Sequence, residues 1–409
     1  MTNNTQIGSI AAARQVLAQR LAEPAPSRVQ FLVGPRQVGK TTLLLSLAKQ
    51  MAGQGLYVAA DASASQLPGW RDRIWSQACE LAKQGPATVF IDEIQAQPDW
   101  SSWLKAAYDQ VLRDGLPLHV VATGSSALSL SSGSRESMAG RFERIAVRQW
   151  AASDLHQLLG VPADLAAQRL VSHGGYLGAV RYWNDAERWR AYLRDAIVEP
   201  AIGRDLLALE AVRKPALLRQ VVALACSHPA EIWSLDKING SLTDHGALET
   251  IAHYLELLQE AYLVAPLQKY AGSVLRRRKA PPKLVVLDNA LLVGVGGMSP
   301  PDQISDPTRW GRWVENACLA HALKRGIGVT YWRDEPWEAD AVFDGDHGRW
   351  VVEVKTGTYT TTDLRGLAYA AKALPGYRPL VLCDIGHEDT ARRAGFTAVA
   401  WPEFLFDRW

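Results

Sequence analysis

Three groups of residues in this sequence are of the kinds that do chemistry. Gly34, Gly39, Lys40 and Thr41 fill the spacing G-x-x-x-x-G-K-T. Glycines so placed let the backbone turn its N–H groups inward around phosphate oxygens, while the lysine adds a cation and the hydroxyl can complete a Mg²⁺ shell. The adjacent carboxylates Asp92 and Glu93 suit two further roles, the first holding the metal and the second polarising an attacking water. Asp340, Glu353 and Lys355 form the third group, two carboxylates and a lysine that can bind a divalent metal and activate water.

Each group needs an element to hold it. Arg28 to Val33 is short and apolar, follows the Pro-rich "EPAPS", and reads as a buried strand, with a helix expected from about Lys40 to Met51. The loop between them therefore opens onto a helix N-terminus, whose dipole favours anions. "GPATVFIDEIQ" supplies a second apolar strand, Ala87 to Ile91, that ends in Asp92-Glu93. The next strand, Leu118 to Ala122, ends in "TGSSAL". Thr123 and Ser125 there could bond a terminal phosphate or a water, or could cap a helix for structural reasons alone.

The stretches "FLVGPRQVGKTTLL", "VFIDEIQAQPDWSSWLKAAYD", "VVATGSSALSL" and "SMAGRFERIAVRQW" together resemble the AAA+ ATPases of the bacterial and archaeal predicted-ATPase group that carry a C-terminal domain of unknown function. The resemblance implies a P-loop AAA+ core with ATP and Mg²⁺ as cofactors. It implies a nucleotide cradle of Gly34, Pro35, Arg36, Gln37, Val38, Gly39, Lys40, Thr41 and Thr42 with Ser125, a metal position at Thr41 and Asp92, and a catalytic Glu93. Phosphoryl transfer gains from a cation added by a neighbouring subunit. Of Arg135, Arg141 and Arg144, Arg141 is the candidate finger, and a homo-oligomeric ring or partial ring goes with it. Arg181, in "HGGYLGAVRYW", stands where a second nucleotide contact is expected, although similar proteins tend to have a proline in that segment.

From Trp150 to about Leu224 apolar residues recur at three- and four-residue spacing, as in a helical lid. "SLDKINGSLTDHGALETIAHYLELLQEAYLVAPL" then reads as short helix, turn, longer helix and strand. A hairpin follows, with arms at about Tyr262 to Gln268 and Lys283 to Leu287. That order suits a winged helix, with Arg276, Arg277, Arg278 and Lys279 at the hairpin tip placed for DNA phosphates. The longer helix carries His253 and Glu256 and few cations, which argues against strong base readout. Winged helices also serve as protein-interaction modules.

"RWGRWVENACLAHALKRG" is an amphipathic helix with Glu315 on it, followed by strands at Val329 to Arg333, Ala339 to Phe343 and "GRWVVEVKTG". Glu353 and Lys355 share a face because side chains alternate along a strand. The D…E-x-K arrangement and the following "TG" turn resemble the PD-(D/E)xK nucleases, which implies a second Mg²⁺ or Mn²⁺ at Glu315, Asp340 and Glu353. The usual proline before the first acid is missing, since Asp340 follows Glu338-Ala339.

Composition sets the outer bounds. At 409 residues with 48% hydrophobic and 21% charged residues, an ordinary globular chain of several domains is expected. No apolar run approaches the roughly 18 residues of a membrane span. The four cysteines form no CxxC pair, and the N-terminus lacks a signal-peptide pattern, so a reducing cytoplasmic setting is expected. A net charge of +2 leaves affinity for polyanions to local clusters. The expected fold is α/β, with an ATPase core over 1–150, a helical lid over 151–225, a winged-helix-like segment over 226–298 and a restriction-endonuclease-like domain over 299–409. The expected activity is Mg-dependent ATP hydrolysis by a motor acting on DNA, with metal-dependent nuclease activity or DNA binding open to the C-terminal domain. The alternative is a regulatory ATPase that recruits a protein client and whose nuclease-like domain is inactive.

Overall fold

The computed structural model describes residues 4–6, 10–124, 138, 140–207, 212–271 and 280–409, and its chain divides into two compact units, Met1–Arg148 and Gln149–Trp409. In the first unit the elements run β1 (Asn4–Gln6), α1 (Ile10–Leu21), β2 (Val29–Val33), α2 (Lys40–Gln50), β3 (Gly55–Ala59), α3 (Trp70–Gln84), β4 (Ala87–Asp92), α4 (Trp100–Asp114), β5 (Leu118–Gly124) and β6 (Phe142–Ala146). The strands form one parallel sheet in the order β1-β6-β2-β5-β4-β3.

Continuous apolar runs are what a parallel sheet covered on both faces requires, and every residue of β2, β4 and β5 is buried. Alternation along the strands sorts their side chains between two cores. Phe31, Val89, Ile91, Val120 and Ala122 pack with Trp75, Leu104, Tyr108 and Val111 of α3 and α4. Leu32, Phe90 and Val121 point the other way, onto Ala13 and Leu17 of α1 and Leu43, Leu44 and Leu47 of α2. The result is a three-layer unit in which α4 shows a helical repeat: Trp100, Leu104, Ala107, Tyr108 and Val111 are its buried face.

The second unit begins with α5 (Ala152–Leu159), α6 (Ala163–His173) and α7 (Ala186–Tyr192). A wide-turned helical stretch, Leu193–Leu206, follows with Pro200 inside it. Proline has no N–H to give the ladder, and a wider turn accommodates that loss. Next come α8 (Pro215–Ser227), β7 (Glu231–Ile232), α9 (Leu235–Ser241), α10 (Leu248–Glu260), β8 (Val264–Leu267) and β9 (Lys283–Val286), the strands forming an antiparallel sheet in the order β7-β9-β8. The helix, turn, helix and hairpin order read from the sequence is thus present. The basic tip, Arg276 to Lys279, lies outside the described residues.

After α11 (Ala290–Gly294), the long α12 (Pro307–Lys324) leads into β10 (Gly328–Asp334), β11 (Trp337–Gly345) and β12 (Gly348–Val354), an antiparallel meander. Then α13 (Arg365–Ala373), β13 (Arg378–Cys383), α14 (Glu388–Arg393), β14 (Thr397–Ala400) and α15 (Trp401–Leu405) complete the chain, with β13 and β14 parallel to β12.

Two polar features knit this unit. Asn316 of α12 is 0% exposed and bonds both main-chain groups of Val286 (2.9 and 2.8 Å) and the Asn289 side chain (2.8 Å). Asn289 in turn donates to the carbonyls of Val171 in α6 (2.7 Å) and Trp313 in α12 (3.0 Å). Buried amides with all these partners fix one arrangement of helix and strand. The hairpin is also joined to the β10 edge: Tyr270 N–H donates to Tyr331 O (2.7 Å), Tyr331 N–H to Gln268 O (3.2 Å), and the Tyr331 hydroxyl to Pro281 O (2.5 Å).

Candidate nucleotide site and C-terminal acidic set

In the first unit the candidate residues converge because parallel strands deliver their C-terminal ends to one edge. The loop after β2, Thr123 near the end of β5 and Asp92 at the end of β4 lie side by side, with Leu32 paired to Thr123 and Ile91 to Ala122. Gly34 opens the loop. A Cβ there would collide with the carbonyl oxygen of Val147, so only glycine fits. Gly39, with φ 100, sits at the left-handed N-cap of α2, and no side chain caps that helix.

Lys40 is 5% exposed, and its Nζ donates to Gly34 O (2.9 Å) and Pro35 O (2.7 Å). The ammonium is thus held inside the loop by the loop's own carbonyls, with Thr41 and Thr42 exposed beside it. A glycine-gated loop, an uncapped helix start and an enclosed ammonium suit a phosphate chain.

Asp92 is 3% exposed and accepts from two hydroxyls, Thr123 Oγ1 at Oδ1 and Tyr57 OH at Oδ2 (2.9 Å). Burial together with the Asp92 charge raises the Tyr57 hydroxyl well above its ordinary pKa, so it remains a donor. Glu93 has a left-handed φ of 52, its N–H donates to Thr123 Oγ1 (3.0 Å), and its carboxylate accepts from Gln95 Nε2. One threonine hydroxyl therefore fixes both acids. Thr123 acts here on Asp92 and Glu93. Ser125 and Arg135 lie outside the described residues.

Arg141 stands at the start of β6, where its carbonyl accepts from Val29 N–H (2.9 Å), at the sheet edge opposite the phosphate loop. Its guanidinium closes on Asp109 of α4 at 2.7 and 3.2 Å, which holds that carboxyl below its usual range. A finger role would have to compete with this pairing inside its own chain. Arg144 stacks over Phe142 at 5.7 Å, and Arg181 of the second unit lies over Tyr182 at 4.8 Å.

The C-terminal candidates also come together, with an addition. Asp340 of β11, Glu353 of β12 and Glu315 of α12 approach one another, and Lys355 pairs with Glu353 Oε1 at 2.7 Å. The addition is Lys283, the first residue of β9, whose side chain is 2% exposed and whose Nζ lies 2.6 Å from Glu315 Oε1 and 3.7 Å from Asp340 Oδ1. Burial works against its charge, but Glu315 and Asp340 outweigh burial and raise the Lys283 pKa. Asp340 Oδ2 accepts the Val354 N–H at 2.8 Å. Burial, then the Asp340 charge, pushes Glu315 up to about 7 and Glu353 up to about 8, against the opposing pull of Lys283 and Lys355 respectively.

Among the described residues no three His, Cys, Asp or Glu side chains stand as a metal-binding group. The expected second metal at Glu315, Asp340 and Glu353 does not fit this arrangement, because an ammonium already lies between two of those carboxylates. Among the described residues, no helix is long and apolar enough to cross a membrane.

Residues 26–155 match the model of an AAA domain, and residues 165–302 and 310–404 match two domains of unknown function (DUF8612 and DUF4143). An uncharacterised protein of Mycobacterium tuberculosis is 28% identical over 312 residues, 75% of this chain and 65% of that protein. The chain thus spans about two thirds of its relative's length. The mouse ATPase family gene 2 protein homolog B is 38% identical over 76 residues, 18% of this chain and 10% of that protein. Among solved structures, the Aeropyrum pernix ORC1 protein in complex with DNA aligns at TM-score 0.36 and 16% identity, covering 70% of this chain and 91% of that one. The Thermotoga maritima RuvB Holliday junction branch migration motor aligns at TM-score 0.34 and 19% identity, covering 64% and 92%. Residues 26–155 are thus similar to an AAA domain, and the two segments matched after them are similar to domains of unknown function.

Proposed function

We propose that the first unit binds ATP with Mg²⁺ and hydrolyses it. The observation that carries this reading is the convergence of the phosphate loop, Asp92 and Thr123 on one sheet edge. Residues Gly34 to Thr42 would hold the phosphates, with Lys40 exchanging two loop carbonyls for phosphate oxygens. Thr41 and Asp92 would hold Mg²⁺, which when bound neutralises charge developing on the phosphates. Glu93, aimed by Thr123 and Gln95, would polarise the water. Assembly into a homo-oligomer would let a neighbouring arginine reach the same edge. The test is steady-state phosphate release: Lys40→Ala and Glu93→Gln should each abolish it, and activity retained by either would refute the assignment.

The motor acts on DNA in this reading, through α9, α10 and the hairpin between β8 and β9, with Arg276 to Lys279 neutralising phosphates. Salt-dependent binding to single-stranded, duplex or branched DNA, and ATPase stimulation by one of them, should be lost when those four residues are alanine.

One observation favours a protein client instead. The described part of the DNA-reading candidate, α10, carries Glu249, Glu256 and Glu260 and neither lysine nor arginine. ATP turnover indifferent to every DNA form would select the client reading.

A further inference from the structure

The acidic set of the second unit contains its own cation. Glu315, Asp340 and Glu353 come from a helix and two strands, and the charge that answers the first two is Lys283, which reaches them from the hairpin strand β9. Its Nζ lies 2.6 Å from Glu315 Oε1, 3.7 Å from Asp340 Oδ1 and 3.1 Å from the carbonyl oxygen of Asp340. Three oxygens around one buried point are the kind of donors a hard divalent cation takes. An ammonium at that point repels such a cation and occupies the oxygens it would need.

The third carboxyl turns elsewhere. Glu353 Oε1 pairs with Lys355 at 2.7 Å, and Glu353 Oε2 is buried with no hydrogen-bond partner among the described residues. Burial, then the neighbouring Asp340, raises this carboxyl well above its usual range.

We propose that the Lys283 ammonium is the resident cation of the Glu315–Asp340 pair, that it excludes Mg²⁺ and Mn²⁺ from the C-terminal set, and that the set fastens β9 to α12 and β11. The arrangement resembles a metal site only in its acids. Removing the ammonium while keeping the chain length of the side chain should expose two uncompensated carboxylates and open the position to a metal. The Lys283 ammonium holds this position whether or not ATP or DNA is bound elsewhere on the chain.

The test is a Mn²⁺ titration of the full chain without nucleotide, with free Mn²⁺ read by electron paramagnetic resonance. Wild type, Asp340→Asn and Glu353→Gln should give the same isotherm, because any Mn²⁺ at the phosphate loop is common to all three. Lys283→Met should gain one bound Mn²⁺, and the double variant Lys283→Met/Asp340→Asn should lose it again. A wild-type Mn²⁺ site abolished by Asp340→Asn or Glu353→Gln would overturn the proposal, as would a folded Lys283→Met chain that gains none. If Lys283→Met does not fold, the comparison of wild type with Asp340→Asn and Glu353→Gln still decides it.

Discussion

Replacing Thr123 with valine should disable turnover while leaving the nucleotide cradle intact. The side chain is 0% exposed, and valine keeps its shape while removing a hydroxyl that donates to Asp92 and accepts from the Glu93 N–H at 3.0 Å. A hydrogen bond to a charged group contributes about 1.5–3 kcal/mol, and a buried N–H left without a partner costs about 1–3 kcal/mol. Asp92 keeps the Tyr57 hydroxyl at 2.9 Å, so the larger loss falls on the aim of Glu93. If about 2.7 kcal/mol of it reaches the transition state, kcat falls about 100-fold. Loop residues 34–41 are untouched, so affinity for a fluorescent ATP analogue should stay within about threefold, under 1 kcal/mol. Thr123→Ser, which retains the hydroxyl, should recover most of the rate. The assay is phosphate release at saturating Mg-ATP, with circular dichroism as the folding control. A folded Thr123→Val chain turning over within about threefold of wild type would refute the reasoning.

Gly34→Ala should weaken nucleotide binding more than it lowers stability, because the added carbon meets the Val147 carbonyl and pushes the start of the loop aside; equilibrium binding alongside thermal melting checks this. Asn316→Ala should destabilise the second unit by about 3–5 kcal/mol, since it leaves a cavity and strips partners from Val286 and Asn289; guanidinium unfolding followed by fluorescence measures it. For Glu353, raised to about 8 from an ordinary value of 4.5, the folded state binds a proton that the unfolded state has released between those pH values. Its contribution to stability therefore falls as pH rises from about 4.5 to about 8. Glu353→Gln should flatten that slope, and unfolding midpoints across the range that decline equally in both proteins would contradict it.

The parts legible in the sequence were those whose cause is local. An apolar run followed by a glycine-spaced loop dictates strand, turn and helix start, and β2 and α2 lie within a residue of the expected bounds. Asp92 and Glu93 were readable because they end such a run. Tyr57 was not, since its hydroxyl reaches Asp92 from a strand 35 residues earlier and nothing around it marks a site. Lys283 offered a trace, a lysine heading the apolar "KLVVL", yet its partners are 32 and 57 residues away in sequence. Asn289 and Asn316 are likewise paired only by tertiary packing. The D…E-x-K spacing points to a shared neighbourhood, but spacing says nothing of which cation enters it.

The backbone bonds that tie Gln268 and Tyr270 to Tyr331, with the Tyr331 hydroxyl on Pro281, have a mechanical corollary. Both legs of the hairpin are clamped at its root, so a load on either leg is felt along β10. Whatever loads those legs tugs on the edge of a five-stranded plate, as a handle does on a lid.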